Sequence, residues 1–123
     1  MKRRPVDASR SKVAYIEFPC GDFDAVQSFY EKAFGWSFMD YGPEYRSFTD
    51  GKIDGGFRRA DLHSSTKNGA ALVILYAEDL ESTRDKVVAS GGSMIQEIFS
   101  FPGGRRFHFA DPNNNELAVW SDH

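Results

Sequence analysis

Two stretches of the chain, offset by 57 residues, repeat one pattern of strand, tight turn, acid-capped helix and glycine stop. Asp22-Phe23 recurs as Asp79-Leu80, Gly35 as Gly92, and Tyr15 as Leu72. A fixed-offset repeat constrains architecture before any single residue does. Two copies describe a duplicated module rather than a solenoid. At 123 residues the chain is long enough for a single domain, which at that size buries about two-thirds of its unfolded surface.

The first copy reads as a strand over residues 12–20, with Val13 and Tyr15 on one face and Ala14, Ile16 and Phe18 on the other. Glu17 shares the face of Tyr15, because side chains alternate along a strand. Asp22 is placed to cap a helix whose Ala25, Val26, Phe29, Ala33 and Phe34 recur at helical spacing, and Gly35 supplies the left-handed stop. Short aromatic-rich strands follow over 36–41, 44–49 and 53–59, divided by Gly42-Pro43 and Asp50-Gly51. The second copy repeats the order: a strand over 70–77, a helix capped by Glu78-Asp79 and ending at Gly91-Gly92, and strands over 93–99, 105–110 and 116–120. The expected organisation is a flexible arm over 1–11 and one domain over 12–123, made of module one (12–60), a polar linker (61–68) and module two (69–121).

A sheet with one helix buries only the face beneath that helix, so each module has a second face in need of cover. The expected fold class is therefore α+β: two tandem βαβββ modules with curled mixed sheets enclosing a cleft. Concave, mainly apolar surfaces carrying a few polar groups are the usual small-molecule sites. By parity the inner face carries Tyr15 and Glu17, then Leu72, Ile74 and Tyr76, then Ala118 and Trp120; Arg106 and His108 join it, opposite Phe107 and Phe109 on the helix side.

Composition narrows the partners. A net charge of −3 argues against nucleic acid, whose phosphates require a concentrated basic face. No apolar run approaches the ~20 residues of a membrane span, and MKRRPVDASRSK lacks the apolar segment of a signal peptide. Cys20 is the single cysteine and has no partner for an internal disulfide. These features lead to the expectation of a cytoplasmic protein without membrane or nucleic-acid partners.

Four motifs stand in a fixed order: a strand into Asp22, Phe29, Tyr30, Phe34, Gly35 and Trp36; Ile53-Asp54-Gly55-Gly56-Phe57; a strand into Glu78-Asp79-Leu80; and Ala110-Asp111-Pro112-Asn113-Asn114-Asn115 before the last strand. In these the chain resembles the vicinal oxygen chelate superfamily, which includes glyoxalases, bleomycin-resistance proteins and extradiol dioxygenases. The resemblance implies the paired βαβββ fold, and it implies a homodimer, since related proteins often complete their clefts across a subunit boundary. It also implies a divalent metal held by histidine and glutamate at inward positions. Here those positions carry Tyr15, Leu72 and Ala118. Leucine and alanine offer no donor atom, and such ions ordinarily take three or more protein ligands. No cofactor is therefore expected.

The leading expectation is a glyoxalase-like or bleomycin-resistance-like protein that binds a small organic molecule in an aromatic cleft without the usual metal. Its ligand-binding residues are Tyr15, Glu17, Tyr76, Arg106, His108 and Trp120. The alternative is an enzyme, a lyase, isomerase or dioxygenase type, using a relocated metal or Glu17 and His108 as an acid–base pair. A third class is a structural module that associates through an exposed sheet edge.

Overall fold

The computed structural model describes residues 11–123; the arm expected over 1–11 lies outside the described residues except for Ser11. Module one runs β1 (Tyr15–Cys20), α1 (Phe23–Phe34), β2 (Ser37–Asp40), β3 (Tyr45–Thr49) and β4 (Asp54–Arg59). A 3₁₀ turn at Thr66–Asn68 leads to module two: β5 (Val73–Tyr76), α2 (Leu80–Ala89), β6 (Ser93–Phe101), β7 (Gly104–Ala110) and β8 (Glu116–Ser121). The α+β class and the two tandem βαβββ modules are both present. Each module forms a four-stranded mixed sheet, in the orders β1-β4-β3-β2 and β5-β8-β7-β6. The pairs β1/β4 and β5/β8 are parallel and the rest antiparallel.

The repeat is visible in the helix caps. Asp22 accepts from the Ala25 amide at 3.1 Å and Asp79 from the Ser82 amide at 3.0 Å, the same Asx cap 57 residues apart. The ends differ. α1 stops at Gly35 in the left-handed region, φ 72°, whereas α2 is two residues shorter and the left-handed glycine is Gly91, φ 109°, not Gly92. Strand limits also move: β1 and β5 begin later than the expected 12 and 70, and β6 continues past 99 to Phe101.

One core unites the modules. Trp36 is stacked between Tyr30 at 4.4 Å and Phe48 at 4.5 Å, while Phe18 stacks on Phe57 at 5.4 Å. Phe29 and Phe34 of α1 reach across to Phe109 of β7, at 5.8 and 5.7 Å. Phe107, Phe109, Leu117 and Val119 belong to the same buried cluster as Phe18, Phe29 and Phe57. The sheets are thus joined on their helix sides. Their other faces remain open: Tyr15, Ile74 and Tyr76 are 44%, 43% and 48% exposed.

A polar clasp locks this junction. Asp111, almost fully buried, accepts from the Tyr30 hydroxyl at 2.8 Å and from the Asn113 and Asn115 amides. Both asparagine side chains donate to the Pro19 carbonyl of the other module at 2.9 Å. Burial drives the Asp111 carboxyl above its ordinary range, against the pull of those hydrogen bonds. Cys20 is also buried, and burial, with Asp111 and Asp22 nearby, pushes its thiol up to about 12. It stays protonated and packed.

Candidate functional site

Two groups of polar side chains stand on the open faces, one per sheet. On sheet one, Tyr45 of β3 reaches over Gly56 of the neighbouring β4 and donates its phenol proton to Glu17 Oε2 at 2.8 Å. Tyr15 Oη lies 2.7 Å from Tyr45 Oη. A phenol has one proton, so Tyr15 must be the donor and the chain runs Tyr15 to Tyr45 to Glu17. Gly56 makes this possible, since a Cβ there would fall 1.9 Å from Tyr45 Oη. Burial, then the contacts with Tyr15 and Glu17, hold the Tyr45 phenol far above its ordinary range and keep it a donor.

On sheet two, strand register brings four side chains into one row across the sheet. Tyr76 pairs with Trp120, Trp120 with Arg106, and Arg106 with Phe99. Tyr76 meets Trp120 edge-on at 5.2 Å, and the Arg106 guanidinium lies over the rings of Phe99 and Phe101 at 5.4 and 5.6 Å. Two register shifts interrupt β6, one between Met94 and Gln96 and one between Gln96 and Phe99, so the chain from Met94 to Phe99 faces the shorter stretch of β7 from Phe109 to Arg106. The two extra residues cancel in parity, and both rings stand on the open face, opposite to the core-packed Met94 and Ile98.

The next row holds His108 and Ala118. His108 Nδ1 lies 2.8 Å from Glu116 Oε2, and Glu116 Oε1 accepts from both the amide and the hydroxyl of Thr66 at 2.9 Å. Burial pushes the Glu116 carboxyl up, but hydrogen bonds from His108 and Thr66 together bring it below its ordinary value. An ionised carboxylate only accepts, so Nδ1 carries the proton and, in the neutral ring, Nε2 carries a lone pair. His108 Nε2 is buried without a partner, as is Arg106 Nε. Each such atom costs on the order of 1–3 kcal/mol of lost hydration.

The six ligand-binding candidates thus separate within one chain. Tyr15 and Glu17 are together on sheet one; Tyr76, Arg106, His108 and Trp120 are together on sheet two. Among the described residues, no hydrogen bond, ion pair or ring contact joins Glu17 to His108 or to Arg106. Sequence parity did not identify Tyr45, Glu116, Phe99 or Phe101. Glu116 is buried and orients His108. His63, in the linker, is exposed and lies 3.4 Å from the Asn68 amide.

A separate apolar cavity of about 300 Å³ lies between β1 and β5, bounded by Ile16, Phe18, Trp36, Phe48, Ile53, Leu72 and Val73. Its polar neighbour, Asp50, is occupied by the amides of Lys52 and Ile53. The cavity therefore lacks the convergent polar groups that orient a ligand.

The metal implied by the resemblance does not fit these residues. Tyr15 is committed to Tyr45, Leu72 has no donor, and Ala118 has none and is fully buried. Among the described residues no three histidine, cysteine, aspartate or glutamate side chains converge on a point.

A sequence model described as Glyoxalase/Bleomycin resistance protein/Dioxygenase superfamily matches residues 12–119. Comparison with curated proteins gives no match. Among solved structures, the chain is similar to a glyoxalase-related enzyme from Fulvimarina pelagi, with TM-score 0.76, 19% identity and coverage of 91% of this chain and 88% of that one. It is similar to a glyoxalase/bleomycin resistance protein/dioxygenase family enzyme from Burkholderia phytofirmans PsJN, with TM-score 0.75, 16% identity and coverage of 89% and 98%. It is also similar to the fosfomycin resistance protein FosX from Mesorhizobium loti, with TM-score 0.74, 16% identity and coverage of 91% and 92%. At these identities the likeness extends to the fold.

Proposed function

Because the chain belongs to the glyoxalase/bleomycin resistance protein/dioxygenase superfamily, we propose that it binds a small organic molecule on the aromatic open face of sheet two, without the divalent metal usual in that family. The supporting observation is Arg106 and His108, each with a buried unpartnered nitrogen, set among Phe99, Phe101, Tyr76 and Trp120. A buried donor or acceptor without a protein partner is met by water or by a bound group, and two such atoms stand together among these rings. An open sheet face lacks a roof, and a second copy of the chain supplies one in this proposal, bringing Tyr15 and Glu17 over the partner's sheet two. The cytoplasm is its proposed location, in keeping with the reduced, packed Cys20.

The test is a thermal-shift screen of chelator-treated protein against aromatic and dicarbonyl metabolites and against divalent metals, with light scattering on the same sample. A native-state ligand raises the melting temperature by mass action. A saturable rise with an organic compound on a dimer supports the proposal; a stoichiometric ion held by side chains of the site sinks it.

A second reading has its own observation. Glu116 fixes the tautomer of His108 so that Nε2 is the base, an arrangement suited to moving a proton at a bound substrate. In that reading His108 is the acid–base residue and Glu116 positions it. Loss of turnover in His108→Ala and Glu17→Gln variants that remain folded supports an enzyme, and unchanged turnover in both removes these residues from it.

A further inference from the structure

The chemistry of the ligand follows from charge on sheet two, and this inference rests on the small-molecule reading above. Arg46, Arg59, Arg84 and Arg105 each have a carboxylate partner. Arg106 makes no hydrogen bond or ion pair with any described residue, although it is partly buried and its Nε is wholly covered. Phe99 and Phe101 hold its guanidinium against their faces, which orients the group while leaving its charge unanswered. On the same face the Glu116 carboxylate is taken by His108 and Thr66, so it does not neutralise Arg106. Within one chain the remaining carboxylate of this face, Asp122, lies at the far end of the row, where it accepts from the Tyr76 hydroxyl at 2.6 Å, so Arg106 itself has no carboxylate partner among the described residues.

We propose that Arg106 receives the carboxylate of a planar aromatic monocarboxylic acid, whose ring lies in the row formed by Trp120 and Tyr76. A guanidinium presents parallel N–H donors that match the two oxygens of a carboxylate. One free cation matches a monoanion better than a doubly charged phosphate. Trp120 is the register neighbour of Arg106 on the adjacent strand, about 5 Å away, so a ring attached to a carboxylate held by the guanidinium lies beside the indole.

The experiment titrates benzoate and 1-naphthoate into the full chain, following Trp120 fluorescence and calorimetry, with benzamide as the neutral isostere. Trp36 is buried in the core and gives a constant background. The expected result is saturable binding of the carboxylates, no binding of benzamide, and an affinity loss of about tenfold or more in Arg106→Gln with partial recovery in Arg106→Lys. Lys32→Gln, at an exposed site on α1, leaves affinity unchanged. Benzamide binding as tightly as benzoate, Arg106→Gln binding benzoate within about twofold of the native chain, or phenylphosphonate binding more tightly than benzoate overturns the carboxylate assignment while small-molecule binding stands. No saturable response to either carboxylate at about 10 mM also overturns it; the metabolite screen, which includes neutral compounds, separately decides the broader reading.

Discussion

Replacing Glu116 with alanine tests whether the sheet-two site is a built structure. The carboxylate is 6% exposed and accepts three hydrogen bonds, from Thr66 N, Thr66 Oγ1 and His108 Nδ1. Hydrogen bonds to charged groups contribute about 1.5–3 kcal/mol each, and removing the shared acceptor leaves their donors unpaired together. They act as a unit and Thr66 keeps access to water, so the losses do not add fully, and the expected cost is about 3 kcal/mol. For a domain of this size that lowers the melting temperature by about 12 °C. Urea unfolding with an unchanged m-value is the assay. Thr66→Val, which removes one of the three bonds, costs about 1 kcal/mol. The penalty also has a pH signature. The folded-state carboxyl titrates below its unfolded value of about 4.3. Its contribution is therefore complete above that pH and is lost as pH falls through the folded-state value. A Glu116→Ala chain less than about 1 kcal/mol weaker than the native one at neutral pH, or a difference that persists undiminished in acid, would refute the reasoning.

Two other perturbations probe the remaining polar groups. Gly56→Ala displaces Tyr45 from Glu17 and Tyr15, since the new Cβ would overlap its hydroxyl; it is expected to cost about 1–2 kcal/mol, and ultraviolet titration should find Tyr45 ionising nearer the ordinary tyrosine value of about 10. Tyr30→Phe removes a donor from buried Asp111 and costs about 1–2 kcal/mol at neutral pH. Because the folded-state pKa of Asp111 lies above its unfolded value, stability falls as pH rises through that interval; losing a hydrogen bond to the carboxylate raises the folded value further. Denaturant unfolding at acidic and neutral pH should therefore show a steeper fall in the variant.

Much of this was legible in the chain itself. The Asp22 and Asp79 caps are local chemistry, and both form as the repeat implies. Alternation along a strand was enough to set Phe107 and Phe109 in the core with Arg106 and His108 opposite them. Alternation also puts Phe99 and Phe101 opposite the core-packed Met94 and Ile98, but their meeting with Arg106 depends on two register shifts against β7 that the pattern of β6 does not carry. Glu116 was missed because its partner Thr66 lies 50 residues away in a segment without periodicity. Tyr45 was missed because its reach depends on an absent side chain at Gly56. Glu17 and His108 share an inner-face parity, yet nothing in the repeat states that the sheets meet through Phe29, Phe34 and Phe109 on their helix sides.

The central claim is ligand binding by sheet two without a metal. Its most direct test is one titration of an aromatic carboxylate into chelator-treated protein whose metal content is measured on the same sample. The account predicts a saturable rise in melting temperature, lost in Arg106→Gln, with no stoichiometric divalent ion present. One equivalent of divalent metal per chain, with ligand binding that disappears on chelation and returns when the metal is restored, would contradict it.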